Sequence, residues 1–206
     1  MNGPNGEPYE LVDVPGAEDV KILALSRSTT HTHHDESGAK SPWWMICIEI
    51  AGKAVTESLI SGSADGLSLK TFAELHGFHI EGGINDNCEI TNQLFGSGTR
   101  RHDDVVVIMQ NANYLADIEN AMHNGKFLTK VTIVETGILK SSWAVFQKIV
   151  FEDNLVLSIV HDLDRVFVRF RIKKKTVTYT SYDLKGTKEG NASFELDFST
   201  HSNKIS

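Results

Sequence analysis

Residues 113–198 constrain the fold of this chain more than any other stretch, because one short amphipathic helix is followed there by strand after strand of two-residue alternation. Leu115, Ile118 and Met122 recur at spacings of three and four. Asn111 and Asn113 precede them as candidate N-caps, and Asn124-Gly125 supplies a stop. A single apolar stripe predicts a helix lying on something larger. The strands that follow are predicted at Phe127 to Val134, Trp143 to Phe151, Leu155 to Val160, Val166 to Ile172, Thr176 to Thr180 and Ser193 to Phe198. Val166, Val168, Phe170 and Ile172 face one way while Arg169, Arg171 and Lys173 face the other, the pattern of a sheet with one buried face. The fold class is therefore mainly β, with one flanking helix.

The earlier half is read more coarsely. Residues 1–42 form an acidic and polar leader, in which Glu7, Glu10, Asp13, Glu18 and Asp19 precede the first basic residue, Lys21, and Val20 to Leu25 is the one predicted strand. Residues 43–206 form the main domain. A strand begins at Trp43 and turns at Gly52-Lys53 towards a Gly/Ser-rich connection, and another is predicted within Leu67 to Ile80. Gly82 to Asp104 is then a long polar stretch before Val105 to Met109 re-enters the core. Connections longer than about 12–15 residues are usually functional or disordered, so this one invites a role.

Several strands are apolar on both faces. Trp44, Ile46, Ile48 and Ile50 oppose Trp43, Met45 and Cys47. Trp143, Val145, Ile149 and Phe151 oppose Ala144, Phe146 and Val150. Such second faces need a cover, which is the helix, the leader or a neighbouring subunit. Trp43, Met45 and Trp143 are the candidate subunit-interface residues.

Composition excludes several classes. A length of 206 residues with 40% hydrophobic content suffices for one sizeable core. A net charge of -7 opposes nonspecific nucleic-acid binding, which draws its affinity from neutralised phosphates. Cys47 and Cys88 are the only cysteines, so a disulfide framework is not expected and a reducing cytosol suits the chain. Met1 to Pro8 lacks the charge and apolar run of a signal peptide, and Trp43 to Ala51 is about half the ~20 residues of a membrane helix. Membrane insertion is not expected.

Chemistry is sparse. His31, His33 and His34 beside Asp35 and Glu36 are the only metal-ligand cluster, yet no distant Cys/His set completes a site, so no metal or other cofactor is expected. Cys88 with His79 or His102 lacks any sequence feature fixing a nucleophile–base geometry. No Gly-x-Ser-x-Gly, phosphate loop, dinucleotide fingerprint or His-Glu-x-x-His occurs, and the chain is not expected to be an enzyme.

The order of pieces resembles the Hcp (haemolysin-coregulated protein) family, the inner-tube proteins of bacterial type VI secretion systems. Met45-Ile46-Cys47-Ile48-Glu49-Ile50-Ala51-Gly52-Lys53 followed by Glu57-Ser58 resembles the family's opening strand and turn, departing from it at Ala54-Val55-Thr56. Asn124-Gly125-Lys126 running into Leu128-Thr129-Lys130-Val131 looks like its helix stop and next strand. Lys148-Ile149-Val150-Phe151-Glu152-Asp153-Asn154-Leu155-Val156 is similar to a further segment, and Val177-Thr178-Tyr179-Thr180, Asp183, Lys185-Gly186 and Phe194 to the closing region. The leader is extra, the segment between Leu59 and Leu69 looks inserted, and Ser181 stands where a Pro is common.

The resemblance implies a compact β-barrel of two packed antiparallel sheets with one flanking helix. Homo-hexameric rings would stack into a tube that works with sheath, spike and baseplate proteins, possesses no membrane insertion and carries small effectors. The subunit would be made in the bacterial cytoplasm and secreted without a signal peptide. The family's ring-stacking loop corresponds to Gly82 to Asp104, with Ile84, Asn85, Ile90, Leu94 and Phe95 as candidate contacts. A run of Arg165, Arg169, Arg171, Lys173, Lys174, Lys175, Lys185 and Lys188 against the acidic leader suggests ends of opposite sign, favouring head-to-tail contact. Two alternatives stand beside this reading: an Hcp-like effector or adaptor whose leader binds cargo or metal, and a phage-type tail tube protein.

Overall fold

A computed structural model describes residues 9–15, 17–25, 44–58, 60, 62–85, 99–139, 142–163, 165–198 and 202–205. Strands β1 (Tyr9–Val14) and β2 (Ala17–Leu25) form a hairpin. They are followed by β3 (Trp44–Ile50), β4 (Lys53–Ala54), β5 (Ser63–Ala64), β6 (Leu67–Ser68), a 3-10 turn (Leu69–Thr71), β7 (Ala73–Asn85) and β8 (Thr99–Gln110). Helix α1 (Leu115–His123) leads into β9 (Phe127–Leu139), β10 (Ser142–Asp162), β11 (Arg165–Arg171), β12 (Lys174–Tyr182), β13 (Lys188–Asp197) and β14 (Ser202–Ile205).

The large sheet closes on itself through one long strand. In the order β11-β8-β7-β3-β9-β10, β10 pairs with β9 from Ser142 to Leu155 and with β11 from Leu155 to Asp162, so a barrel forms. Strands β12, β13 and β14 extend it from the flank of β10. Glu152-Asp153-Asn154 does not end a strand, as the sequence pattern predicts, but bends one. Asp153 adopts φ 54°, and the buried Asn154 amide donates to the carbonyls of Phe151 (3.1 Å) and Leu128 (3.2 Å), satisfying backbone groups that a turn would have left to water.

Helix α1 lays Leu115, Ile118 and Ala121 into the barrel core, with Met122 partly buried beside them. Its stop is a Schellman pattern: Lys126 N–H bonds Ala121 O (2.8 Å), Gly125 N–H bonds Met122 O (3.1 Å), and Gly125 takes φ 61°. At the other end the expected Asn caps are absent. Tyr114 occupies the cap without a side-chain bond, and the carbonyls of Ala112 and Asn113 already accept from Leu115 and Ala116.

Three apolar clusters result. The barrel interior gathers Ile46, Ile48, Val107, Met109, Ile133, Phe151 and Phe170, with Phe151 and Phe170 edge to face at 5.8 Å. The outer face of β3, β9 and β10 carries Met45, Cys47, Val134 and Val145, and Ala64 of the segment that looks inserted, with Leu69 at its end and Phe72 just after it, covers it. The outer face of β8 and β11 carries Val106, Ile108 and Phe167, and Val14, Ile22 and Ala24 of the leader hairpin cover it. The outer face of β3, with Trp143 and Val145 of β10, is thus covered by another segment of the chain, while Phe146 and Val150 stay half-buried outside these clusters.

Candidate assembly surfaces

The long polar stretch after β7 is mounted on a ribbon. β8 pairs with β11 only from Val105 to Gln110, and β7 pairs with β3 only at Ala73 and Glu74. Beyond Ile80 and Val105 the described strand pairing is between these two strands alone, through Gly82↔His102, Gly83↔Arg101, Ile84↔Arg100 and Asn85↔Thr99. Four such pairs carry the ribbon about 13 Å past the last barrel pairing. Ile84 and Asn85 stand at its tip. Ile90, Leu94 and Phe95, with the remaining loop at 86–98, lie outside the described residues.

The expected subunit-interface residues fare differently. Met45 is fully buried within the chain against the insertion cluster. Trp143 is half-buried by the same segment, packed with Ile60 and Leu67, and a Cβ at Gly62 would lie 3.2 Å from its Cδ1. Trp43 and the three candidate metal ligands His31, His33 and His34 lie outside the described residues.

A polar clasp holds the insertion down. The Tyr182 hydroxyl donates to Asp65 Oδ2 at 2.7 Å and accepts from Val145 N–H at 3.3 Å, while Lys188 Nζ reaches Asp65 at 3.5 Å. Burial, and then the Asp65 carboxylate, push the phenol up to about 12. Beneath the cover, Thr56 Oγ1 donates to Thr71 O (2.8 Å) and accepts from Ile48 N–H (3.0 Å). Burial raises the Cys47 thiol, which disfavours the thiolate and makes it a poor nucleophile. Among the described residues no three His, Cys, Asp or Glu side chains cluster as a metal site.

Several cations of the basic run on the late strands meet acids one by one. Arg165 meets Glu10 at 2.7 Å, Arg171 meets Asp104 at 3.2 Å, Lys173 meets Asp153 at 3.2 Å, and Lys174 lies between Glu195 (3.1 Å) and Glu152 (3.5 Å). These acids come from the leader, β8, β10 and β13. Alternation in sequence shows which face a charge occupies but not what stands opposite it.

Glu135 is an exception to this pairing pattern, aligned in register with Trp44 of β3 and Gln147 of β10. Burial holds its carboxyl above the usual range. Between the unfolded and folded values the folded chain keeps a proton that the unfolded chain has released, so stability falls as pH rises through that window, and the penalty persists above it. Glu135→Gln should therefore unfold at a higher temperature than the parent near neutral pH, the two converging below about pH 4. A variant no more stable at neutral pH would show that burial does not strain this carboxylate.

Neither a family model nor a curated protein sequence matches the chain. Solved structures do. "Structure of a type six secretion system protein" superposes with a TM-score of 0.60 at 16% identity, covering 78% of this chain and 99% of that one. The secreted protein Hcp3 from Pseudomonas aeruginosa superposes at 0.53 with 18% identity, covering 75% and 99%. A doubly substituted Hcp1 protein from E. coli superposes at 0.53 with 16% identity, covering 75% and 98%. At these identities the likeness is one of fold: the chain has the Hcp-like β-barrel fold, with additions that those proteins lack.

Proposed function

We propose that this chain is a structural, non-catalytic subunit of a type VI secretion inner tube, in which six copies close into a ring and rings stack into a hollow tube ejected into a target cell. The observation that carries this reading is the superposition of nearly the whole of the neighbouring secretion-system chain, 99% of its length, on the barrel described here. The projecting ribbon adds to it, because it offers a contact surface beyond the barrel for a heterologous, head-to-tail interface. Sheath, spike and baseplate proteins are the implied partners, and the lumen would hold small effectors. The subunit would be made in the bacterial cytoplasm and leave it through the machine itself. Helix α1, at nine residues, is far short of the ~20 needed to cross a bilayer, and no described helix is long and apolar enough to do so.

The adaptor reading is less favoured, since it needs a leader free to hold cargo, whereas the described part of the leader is packed onto the barrel. Negative-stain electron microscopy of the full-length protein, with light scattering for mass, tests the proposal. Rings near six times 22.8 kDa that stack at high concentration are the expected result. A monomer at every concentration would overturn it.

A further inference from the structure

One cross-strand row of the large sheet carries polar and aromatic groups on the side that faces the barrel interior. Trp44 of β3, Glu135 of β9, Gln147 of β10 and Tyr179 of β12 stand opposite one another in register, so their side chains leave the same face. The row two residues further in, Ile46, Ile133, Ile149 and Val177, is buried and belongs to the barrel core. The polar row is therefore the rim of that core. Trp44, Glu135 and Gln147 are half-buried while Tyr179 is 56% exposed, so the rim opens to water on its β12 side. Phe78 meets the Trp44 ring at 70° with centroids 4.8 Å apart, which holds the indole in place.

Glu135 is the group that this rim leaves unmatched. Burial raises its carboxyl, and among the described residues neither an ion pair nor a hydrogen bond reaches it. Glu49 and Glu152, elsewhere on the same strands' neighbours, each have a lysine. A carboxylate kept partly out of water at a cost to the free chain has a reason to be there if a cation joins it. The surrounding groups say which kind. Two strand intervals place Glu135 and Tyr179 about 10 Å apart. A cation ~3 Å from the carboxylate then comes within the ~6 Å at which the phenol ring attracts it. Trp44 offers a second ring on the far side of Glu135, and Gln147 offers an amide oxygen between. A guanidinium suits this set better than an ammonium, because it is flat, weakly hydrated and stacks on rings while its several N–H groups reach more than one acceptor.

We propose that the rim row of Trp44, Glu135, Gln147 and Tyr179 is a binding seat for a guanidinium group, with Glu135 as its counter-ion, Gln147 as a second acceptor and the two rings as its walls. The seat lies within one subunit and stands apart from the tube reading.

Saturation-transfer NMR, observing the ligand against the full-length protein, tests it, since this readout serves weak ligands and large assemblies alike. The probes are N-acetyl-arginine amide and agmatine, with N-acetyl-lysine amide as the ammonium control. The parent should bind a guanidinium probe with a Kd on the order of 1 mM and the lysine probe more weakly. Glu135→Gln, a variant expected to fold at least as stably as the parent, should weaken that binding roughly tenfold. Tyr179→Leu, at an exposed position, should weaken it about threefold. Binding of the arginine amide supports the seat and assigns it to an arginine side chain of another polypeptide; binding of agmatine alone supports it and assigns it to a free guanidine. The proposal is overturned by no saturation transfer to either guanidinium probe, by a lysine probe bound as tightly, or by a titration that Glu135→Gln leaves unchanged.

Discussion

Replacing residues 84–99 with a single glycine should leave rings intact and abolish their stacking. The deletion removes the tip of the ribbon, where Ile84↔Arg100 and Asn85↔Thr99 pair only with each other. It leaves Gly83 opposite Arg101 across a two-residue Gly-Arg100 loop, whose leading glycine suits a type II′ turn. The pairings that close the barrel, β8 with β11 from Val105 onward and β7 with β3 at Ala73 and Glu74, lie far from the cut. Subunit stability and ring formation should therefore persist, while the tip of the ribbon proposed to bridge rings is gone. Electron microscopy and sedimentation would show single rings at concentrations where the parent forms tubes. Normal tubes from the shortened chain would sink the assignment of this ribbon to stacking.

Phe151→Ala should cost about 3–5 kcal/mol, the range for removing a fully buried aromatic side chain and leaving a cavity. Phe151 is 0% exposed and sits where three strands meet, opposite Val131 of β9 and Lys175 of β12. Its ring meets Phe170 of β11 edge to face across the interior. It lies just before the Asp153 bend that lets β10 serve both β9 and β11, so collapse around the cavity would need movement at the closure of the barrel. Against a total stability of about 5–15 kcal/mol, the loss takes a large share of what holds the chain folded. Urea unfolding of the purified variant measures it, and a loss under about 1 kcal/mol would mean that the interior is not close-packed at this point.

Much of the barrel was legible before any coordinates. Alternation in Val166 to Ile172 marked a strand whose buried face the structure confirms, whereas both faces of Phe194 to Phe198 are half-buried alike, and Asn124-Gly125 marked a true helix stop. The continuity of β10 was not legible. Glu152-Asp153-Asn154 has the composition of a turn, and only the carbonyls of Phe151 and Leu128 brought near Asn154 make it a bend. The hairpin seat was also missed, although Val12 and Val14 alternate with acids and Ile22 and Ala24 repeat the spacing. Charge drew attention to the leader, while its apolar alternation was the signal of docking.

What the sequence determined by itself was local: which residues alternate, where the helix stops, and that several strands carry apolar side chains on both faces. Those properties follow from backbone periodicity, which acts over a few residues. What only the tertiary structure decided was the identity of the covers. A second apolar face states that something must exclude water from it, but hydrophobic attraction is non-directional and names no partner. The choice between an insertion, a leader and a neighbouring subunit rests on chain path and close fit, such as the clearance above Gly77 and the carboxylate of Glu10 placed on Arg165.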